Sequence, residues 1–588
     1  MANTLAVRQN LRLRIDSTWY VALAWVAFAI VVNPVGNFPL NDDWSYGIAV
    51  QRLLQTGQFH PTGWTSMPLI TQVLWGSLFC VPFGFSYTTL RISTLVAGFI
   101  GIVLLERLVR SHGCDARSSA LTAAVLAFNP LYFNLANTFM ADVPFTAAVL
   151  ASVWLFCRYL NTRRGVWLAA TLAAVVASLL IRQLALCLPV AMTITLAAER
   201  RCVQRKRSAA PLWIAAGSIV ACAAILRLFA LWLEARGALP ATYHAKEMAA
   251  LQNLLAPHGL FTSIARGVFN ALTYLGWFLA PLLVWRAPAV YRRHAGSRAG
   301  RTLLAALVLA AVGGTAVLLA THHPMPLGWN IIQPTGVGPH TMRETLVLPP
   351  SAFPRAPLVF WQVVTAITLF GAVMLAYELV WITRNIVRRV MRREGSALLS
   401  VQVFLLAAVA AYCAPLIIGG FFDRYLLTPL ALLAALIAIE DQQEAQAAQP
   451  LDAGERLRAR AGGGAARRRV DVIAWALLLV TGVFAVSATH DYLAWNRARW
   501  QLVDELMAHG VPIGEIDGGL EVNGLYAYDP AYVEKPGKSW YWVNDDRYVV
   551  TFAPLPGYHE VGSAEVGGWI PNYRTRVLAM ERDGGAPR

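Results

Sequence analysis

The stretch Thr18–Tyr46, TWYVALAWVAFAIVVNPVGNFPLNDDWSY, decides how the rest of the chain is read. From Thr18 to Val35 it carries no charged residue and lacks the small-residue cleavage pattern of a signal peptide, so it predicts a retained membrane span. Just beyond its end comes Asn41-Asp42-Asp43-Trp44-Ser45-Tyr46. Two adjacent carboxylates at a membrane surface are costly unless they bind something or do chemistry.

The whole chain follows the same reading. It has 588 residues, of which 57% are hydrophobic and 14% charged, with mean hydropathy +0.50. A soluble chain would carry about 25% charged residues. The net charge of +16 invites a nucleic-acid partner, but the basic residues fall mainly in short loops between apolar runs, as membrane orientation requires. The seven cysteines lie in or beside hydrophobic segments and none follows Cys413. That leaves the C-terminal region without a disulfide framework, and no metal-type cysteine spacing occurs.

Apolar runs of roughly bilayer-crossing length recur about thirteen times, from Thr18–Val35 to Val472–Ser487, with the pair Trp167–Ile181 and Leu184–Ala198 short. Counting lysines and arginines places about thirty in one set of alternate loops and about seven in the other. This predicts a cytoplasmic N-terminus and an extracytoplasmic C-terminus. The expected fold is an all-α multispan membrane bundle with a small C-terminal extracytoplasmic α/β domain. Its parts are a transmembrane unit over 1–440 with a first outside loop at 36–86, a cytoplasmic low-complexity linker at 441–470, a last span at 471–488, and a soluble domain at 489–588. Within the first loop, Trp44–Leu54 and Pro68–Val81 are amphipathic and suited to lie along the interface. The Pro- and Gly-rich loop Thr321–Pro357 is expected to fold over a cavity. In the tail, an amphipathic helix over Tyr492–Ala508 stopped by Gly510 precedes strand-like runs at Gly519–Tyr528, Tyr548–Pro554 and Gly557–Val566.

Candidate chemistry gathers at span ends on one side. Asp42 and Asp43 are catalytic candidates, and Asp142, in Phe139-Met140-Ala141-Asp142-Val143-Pro144, joins them by topology. A lone acid in such a loop is more often a solvated or helix-capping group. A pair, flanked by Trp44 and Tyr46, favours function, because neighbouring carboxylates raise one pKa towards neutrality. Arg182-Gln183, between two short spans, and Asp423-Arg424-Tyr425, after Gly419-Gly420, place guanidinium groups at the same edge. Arg182 could snorkel to headgroups or grip a phosphate, and Arg424 could be neutralised by Asp423 or face an anionic lipid head. Tyr243, His244, Lys246 and Glu247 form a polar cluster in the second outside loop, and His322-His323 opens the third, neither with metal-ligand spacing. Walker, Rossmann, Gly-x-Ser-x-Gly and HExxH motifs are absent from any credible context.

The acid pair with Tyr46, the Asp142 segment, Arg182-Gln183 and Asp423-Arg424-Tyr425-Leu426-Leu427, in this order, resemble the GT-C glycosyltransferases. They are similar to the protein O-mannosyltransferase and aminoarabinose-transferase-like group of bacterial membrane proteins, over roughly Thr18 to Ile439. The resemblance implies a helical bundle with two interfacial helices in the first loop. It also implies sugar transfer from a polyprenyl-phosphate donor to a lipid, glycan or protein acceptor at the extracytoplasmic face of a bacterial inner membrane. Asp42 then matches the catalytic acid, Asp43 the adjoining acid and Asp142 the second-loop acid. Arg182 and Arg424 are candidates for the donor phosphate. Tyr46, Gln183, Tyr243, His244, Lys246, Asp423 and Tyr425 are candidates for the rest of the substrate. One departure stands out: the aminoarabinose transferases carry a Glu-Lys-Pro-Pro-Leu-like segment where this chain has Thr65-Ser66-Met67-Pro68-Leu69. No cofactor is required by the sequence. A divalent cation (Mg2+, Mn2+ or Zn2+) on Asp42 and Asp142 stays open, as do the sugar and the acceptor. Membrane lipids are expected partners and nucleic acid is not. The rival readings are a flippase of lipid-linked sugar, which would favour charges at mid-span, and an O-antigen ligase or polymerase, which would favour an arginine-rich large loop.

Overall fold

The computed structural model describes residues 17–202, 208–255, 257–321, 330–342, 356–447, 453–539, 541–569 and 574–584, and side chains throughout these except at 17–18, 245–247, 249–250, 257–258, 447 and 453–467. The chain forms an α-helical bundle with a small sheet near its C-terminus. Helices α1 (Ser17–Val31), α2 (Asp43–Thr56), α3 (Ile70–Phe83) and α4 (Tyr87–Arg110) open it. The bent pair α5 (Ala116–Ala127) and α6 (Pro130–Ala136) and then α7 (Asp142–Thr162) follow. The amphipathic stretches Trp44–Leu54 and Pro68–Val81 are α2 and α3, as their pattern predicts.

Among the described residues, nine helices are long and apolar enough to cross a membrane, or ten if α5 and α6, bent by 61°, are one span. The expectation of about thirteen exceeds the number that meets this length criterion. The shortfall lies in α1, Gly165–Leu179 and Cys187–Cys202, of 15, 15 and 16 residues. Polar breaks cut these runs: Asn33 turns left-handed before Pro34, and Leu180–Gln183 interrupts the helices on either side.

Those breaks build one end of the bundle. Ser86 starts α4 by accepting the Thr89 N–H. Asn129 accepts from Leu131 and Tyr132 ahead of Pro130, which sets the α5–α6 bend. The Leu69 and Thr71 N–H groups donate to the carbonyls of Ile181 and Leu180, so the start of α3 is tied to the Arg182 turn. A second break, Gly420 to the 3-10 turn Asp423–Leu426, precedes the helix Leu427–Ala447. In the third loop, β1 (Ile332–Gln333) and β2 (Gly336–Val337) form a small hairpin. His322, His323 and most of that loop lie outside the described residues.

The tail departs from expectation in three places. Backbone is helical to Ala447 and again from Ala453, where composition suggested a linker without structure. Its alanines, glutamates, glutamines and arginines are strong helix formers. The amphipathic segment Tyr492–Ala508 is no separate element; it ends one helix, Ala453–Ala508, with Gly510 left-handed beyond it. Leu520–Ala527, in the first strand-like run, is a helix, and its residues Leu520 to Gly524 are buried consecutively rather than alternately. The sheet order is β3 (Ile516–Asp517), β4 (Tyr548–Thr551), β6 (Arg574–Arg582), β5 (Tyr558–Gly567), with β3–β4 parallel and the other pairs antiparallel. The runs at Tyr548 and Gly557 are strands as predicted.

Candidate active site

The end of the bundle that carries the loop before α2 gathers two acids and two arginines. Asp42 Oδ2 lies 3.1 Å from Arg424 Nη2. Asp142 Oδ1 lies 3.0 Å from Arg182 Nη2. Asp142 is the first residue of α7, Arg182 sits in the break after Leu179, and Arg424 in the break before Leu427. Each charged group therefore stands where a helix starts or stops, which lets it leave the apolar layer while its backbone stays satisfied. Tyr46, one turn into α2, lies among all four. Its phenol is pushed well above its usual range by burial first and then by Asp42, with Arg424 and Arg182 opposing and Asp142 adding. Arg182 stacks over the Tyr425 ring at 4.9 Å, and Arg424 lies over Phe422 and Tyr425 at 5.2 and 5.8 Å.

The two pairs are not alike. Both Asp42 oxygens are engaged, Oδ1 by the Trp64 indole N–H at 2.9 Å and Oδ2 by Arg424. Asp142 and Arg182 approach without hydrogen-bond geometry. Neither Asp142 oxygen has a hydrogen-bond partner, and Arg182 Nε and Nη2 and Arg424 Nε donate to nothing among the described residues. Unused hydrogen-bonding capacity of this kind leaves room for a ligand or a water to be held there. Asp42 is the more open acid, its side chain 14% accessible against 1% for Asp142.

Asp43 and Asp423 hold backbone. Asp43 is fully buried and accepts the N–H groups of Leu40 and, at 3.0 Å, Phe139. Its carboxyl is pushed up to about 7, mainly by burial, with Arg91 and the two N–H groups opposing and Glu521 adding. The acid that acts on it is thus Glu521; the expected mutual effect of Asp42 and Asp43 is not what raises it. Asp423 accepts from Ile331 (3.0 Å), Ile332 (2.8 Å) and Arg424 (2.7 Å), anchoring β1 beside the arginine. Gln183 donates to the Ser66 carbonyl at 3.4 Å. Tyr243 is buried against the His244 ring at 5.0 Å, and the neighbouring Thr242 hydroxyl donates to the carbonyls of Gly63 and Thr65. The second loop thereby docks on the first beside Trp64. His244 is exposed, and the Lys246 side chain lies outside the described residues.

Sequence reasoning missed Trp64, which fixes Asp42 Oδ1, and Arg91, which donates to the carbonyls of Pro34, Gly36 and Phe38. It also missed Glu521, which accepts the Asn41 N–H at 2.8 Å. An indole immediately before the Thr65–Leu69 segment was a legible signal. The other two contacts join segments far apart in sequence and left none. For the cation left open on Asp42 and Asp142, the fit is poor: each carboxylate faces an arginine, and the described residues hold no group of three metal-ligating side chains.

Residues 68–240 match the family model of dolichyl-phosphate-mannose-protein mannosyltransferases. Over that segment the chain is similar to GT-C membrane glycosyltransferases. The matched segment contains Asp142 and Arg182 but stops short of Asp42 and Arg424. No curated protein sequence matches the chain. Among solved structures, ArnT from Cupriavidus metallidurans in the apo state is similar at 14% identity over 97% of this chain and 100% of that one, with TM-score 0.39. The same protein bound to undecaprenyl phosphate is similar at 13% identity over 73% and 79%, TM-score 0.31. The S. cerevisiae protein O-mannosyltransferase Pmt1-Pmt2 complex bound to the sugar donor is similar at 15% identity over 37% of this chain, TM-score 0.29. The match spans 33% of that yeast chain. At these TM-scores the likenesses carry no weight for the site.

Proposed function

We propose that this GT-C chain transfers a sugar from a polyprenyl-phosphate donor to an acceptor hydroxyl or phosphate at the extracytoplasmic face of a bacterial inner membrane. The observation that carries the reading is the set of buried Arg182 and Arg424 donors with no hydrogen-bond partner among the described residues, beside one partly open carboxylate. A lipid phosphate is already a good leaving group, so the site needs chiefly to hold its developing charge. The two guanidinium groups do that when Arg424 turns from Asp42 Oδ2 to the phosphate. This releases Asp42 Oδ2, while Trp64 keeps Oδ1 in place. Asp42 then takes the proton of the acceptor hydroxyl, the acceptor oxygen bonds to the anomeric carbon, and the bond from that carbon to the phosphate oxygen breaks. Polyprenyl phosphate leaves with the electron pair. Asp43 fixes the backbone of the loop, and Tyr46, Gln183 and Tyr425 line the space around the pairs.

A transfer assay in reconstituted membranes tests this, with a panel of polyprenyl-phosphate hexoses and pentoses and with or without a chelator. Transfer by wild type that collapses in Asp42→Asn is the expected result. Full transfer by Asp42→Asn would overturn the base assignment, and loss of transfer in chelator would bring the cation back. Consumption of no donor, with movement of lipid-linked sugar across the bilayer, would favour a flippase.

A further inference from the structure

We propose that Glu521 is a positioning residue for Asp42, so that the C-terminal sheet region forms part of the catalytic device rather than an appended domain. The inference rests on the reading of Asp42 as the base. Glu521 is completely buried and uses both oxygens. Oε1 accepts the Asn41 N–H at 2.8 Å, and Oε2 accepts from the Thr341 hydroxyl at 2.5 Å and Arg499 Nη1 at 2.9 Å. One carboxylate therefore joins the first loop, the third loop and the last long helix.

The point of attachment matters. Asn41 immediately precedes Asp42 and has a left-handed backbone, with φ 58°. Asparagine adopts that conformation more readily than other non-glycine residues, and the Glu521 bond to its N–H holds it there. The turn so fixed aims Asp42 at Arg424 while Asp43 points inward. Arg91 grips the preceding carbonyls from the other side.

The contact is also built for permanence. Gly519 is left-handed, and a Cβ there would lie 2.7 Å from the Thr341 carbonyl. A Cβ on Gly524 would lie 2.5 Å from the Trp44 ring, and one on Gly63 would collide with the Tyr528 hydroxyl. Trp44 is wrapped by Tyr528 at 5.2 Å and Trp542 at 5.5 Å. Trp542 meets Trp64 edge-on at 5.3 Å, and Trp64 is the indole that donates to Asp42. The tail thus reaches the base twice, through the Asn41 backbone and through Trp64.

Two variants of the full chain separate positioning from mere stability. Glu521→Gln keeps an oxygen for the Asn41 N–H but leaves the Arg499 charge unpaired. The double variant Glu521→Met/Arg499→Met removes the ion pair as a unit, leaving no orphan charge, and loses the Asn41 acceptor. A structural role predicts that Glu521→Gln is the worse of the two. Positioning predicts the reverse in turnover: kcat falls about 10–100-fold in the double variant, with donor KM little changed, and stays within about fivefold of wild type in Glu521→Gln. Hydrogen exchange at the amides of residues 40–46, measured without substrate, should quicken in the double variant only. Equal turnover per folded molecule in the double variant, or unchanged exchange there, overturns the proposal. Asp42→Asn runs in the same assay. If it retains full activity the base assignment fails, while the exchange arm still decides whether Glu521 holds the loop.

Discussion

Two clusters of buried arginines and carboxylates sit at opposite ends of one helix, and they differ in how completely they are satisfied. Arg424 precedes Leu427–Ala447, and Asp441 and Glu444 lie roughly 25 Å further along it. At that far end, Arg286 and Arg293 bond Glu378 at 2.8 and 3.0 Å, and Arg293 bonds Glu444 at 2.6 Å. The indoles of Trp285 and Trp381 add bonds to Asp441 and Glu444. Each oxygen of Glu378, Asp441 and Glu444 accepts a hydrogen bond. At the near end, Asp142 accepts none and three guanidinium nitrogens donate to none among the described residues. At the far end Arg286 Nε also lacks a partner among the described residues, but every carboxylate oxygen there is taken, so those acids have nothing left to offer a ligand and hold helices together. The near cluster keeps its capacity in reserve.

Crossed substitutions would break this contrast if it is wrong. Asp42→Asn should lower kcat by about 10²–10⁴-fold, with the melting temperature of the detergent-solubilised protein held near that of wild type. Glu378→Ala should do the opposite, because it removes the fully buried acid that Arg286 and Arg293 share and leaves them only Asp441 and Glu444. A loss of up to about 3 kcal/mol in stability is expected, with turnover per folded molecule preserved. A stable Glu378→Ala protein would show that the far cluster is not the staple its bonding suggests.

A smaller effect sharpens the comparison. Arg424→Lys keeps the charge but loses the planar fork, so donor KM should rise by about tenfold, with a lesser change in kcat. Arg293→Lys, equally conservative, should leave donor KM alone and lower only the melting temperature. Matched KM values for wild type and Arg424→Lys would take the phosphate role away from Arg424.

The sequence disclosed the members of the near cluster better than their relations. Asp42, Asp142, Arg182 and Arg424 are visible as charges at the ends of apolar runs, and an apolar layer leaves few reasons for them to be there. That Asp42 meets Arg424 is not visible, because 382 residues separate them. Nor is the grip of Glu521 on Asn41, across 480 residues. Span positions were legible from hydropathy, while helix lengths were not, since a run broken by Asn33-Pro34 or Arg182-Gln183 is apolar on average and short as a helix. Asp43 was misleading for a geometric reason. Consecutive residues at a helix start point about 100° apart, so adjacency in sequence sends Asp42 to Arg424 and Asp43 inward to the Phe139 N–H.

Asp43 stands between the two kinds of cluster, and its titration offers the finest test. Like the far carboxylates it is taken up by hydrogen bonds, yet burial raises its carboxyl to about 7. An unfolded aspartate titrates near ~3.9. Between these values the native state still binds a proton that the unfolded chain has released, so the native state loses ground as pH rises. The stabilising contribution is therefore full below about 4 and lost as pH passes through about 7. Asp43→Asn cannot titrate, so its melting temperature should depend less on pH across that window. The melting-temperature difference, wild type minus Asp43→Asn, should shrink from acid to neutral pH. A difference that stays flat, or grows, would mean that Asp43 is ionised throughout, held by Arg91 and the two N–H groups against its burial. The loop before α2 would then be fixed by a charge, as the far cluster is.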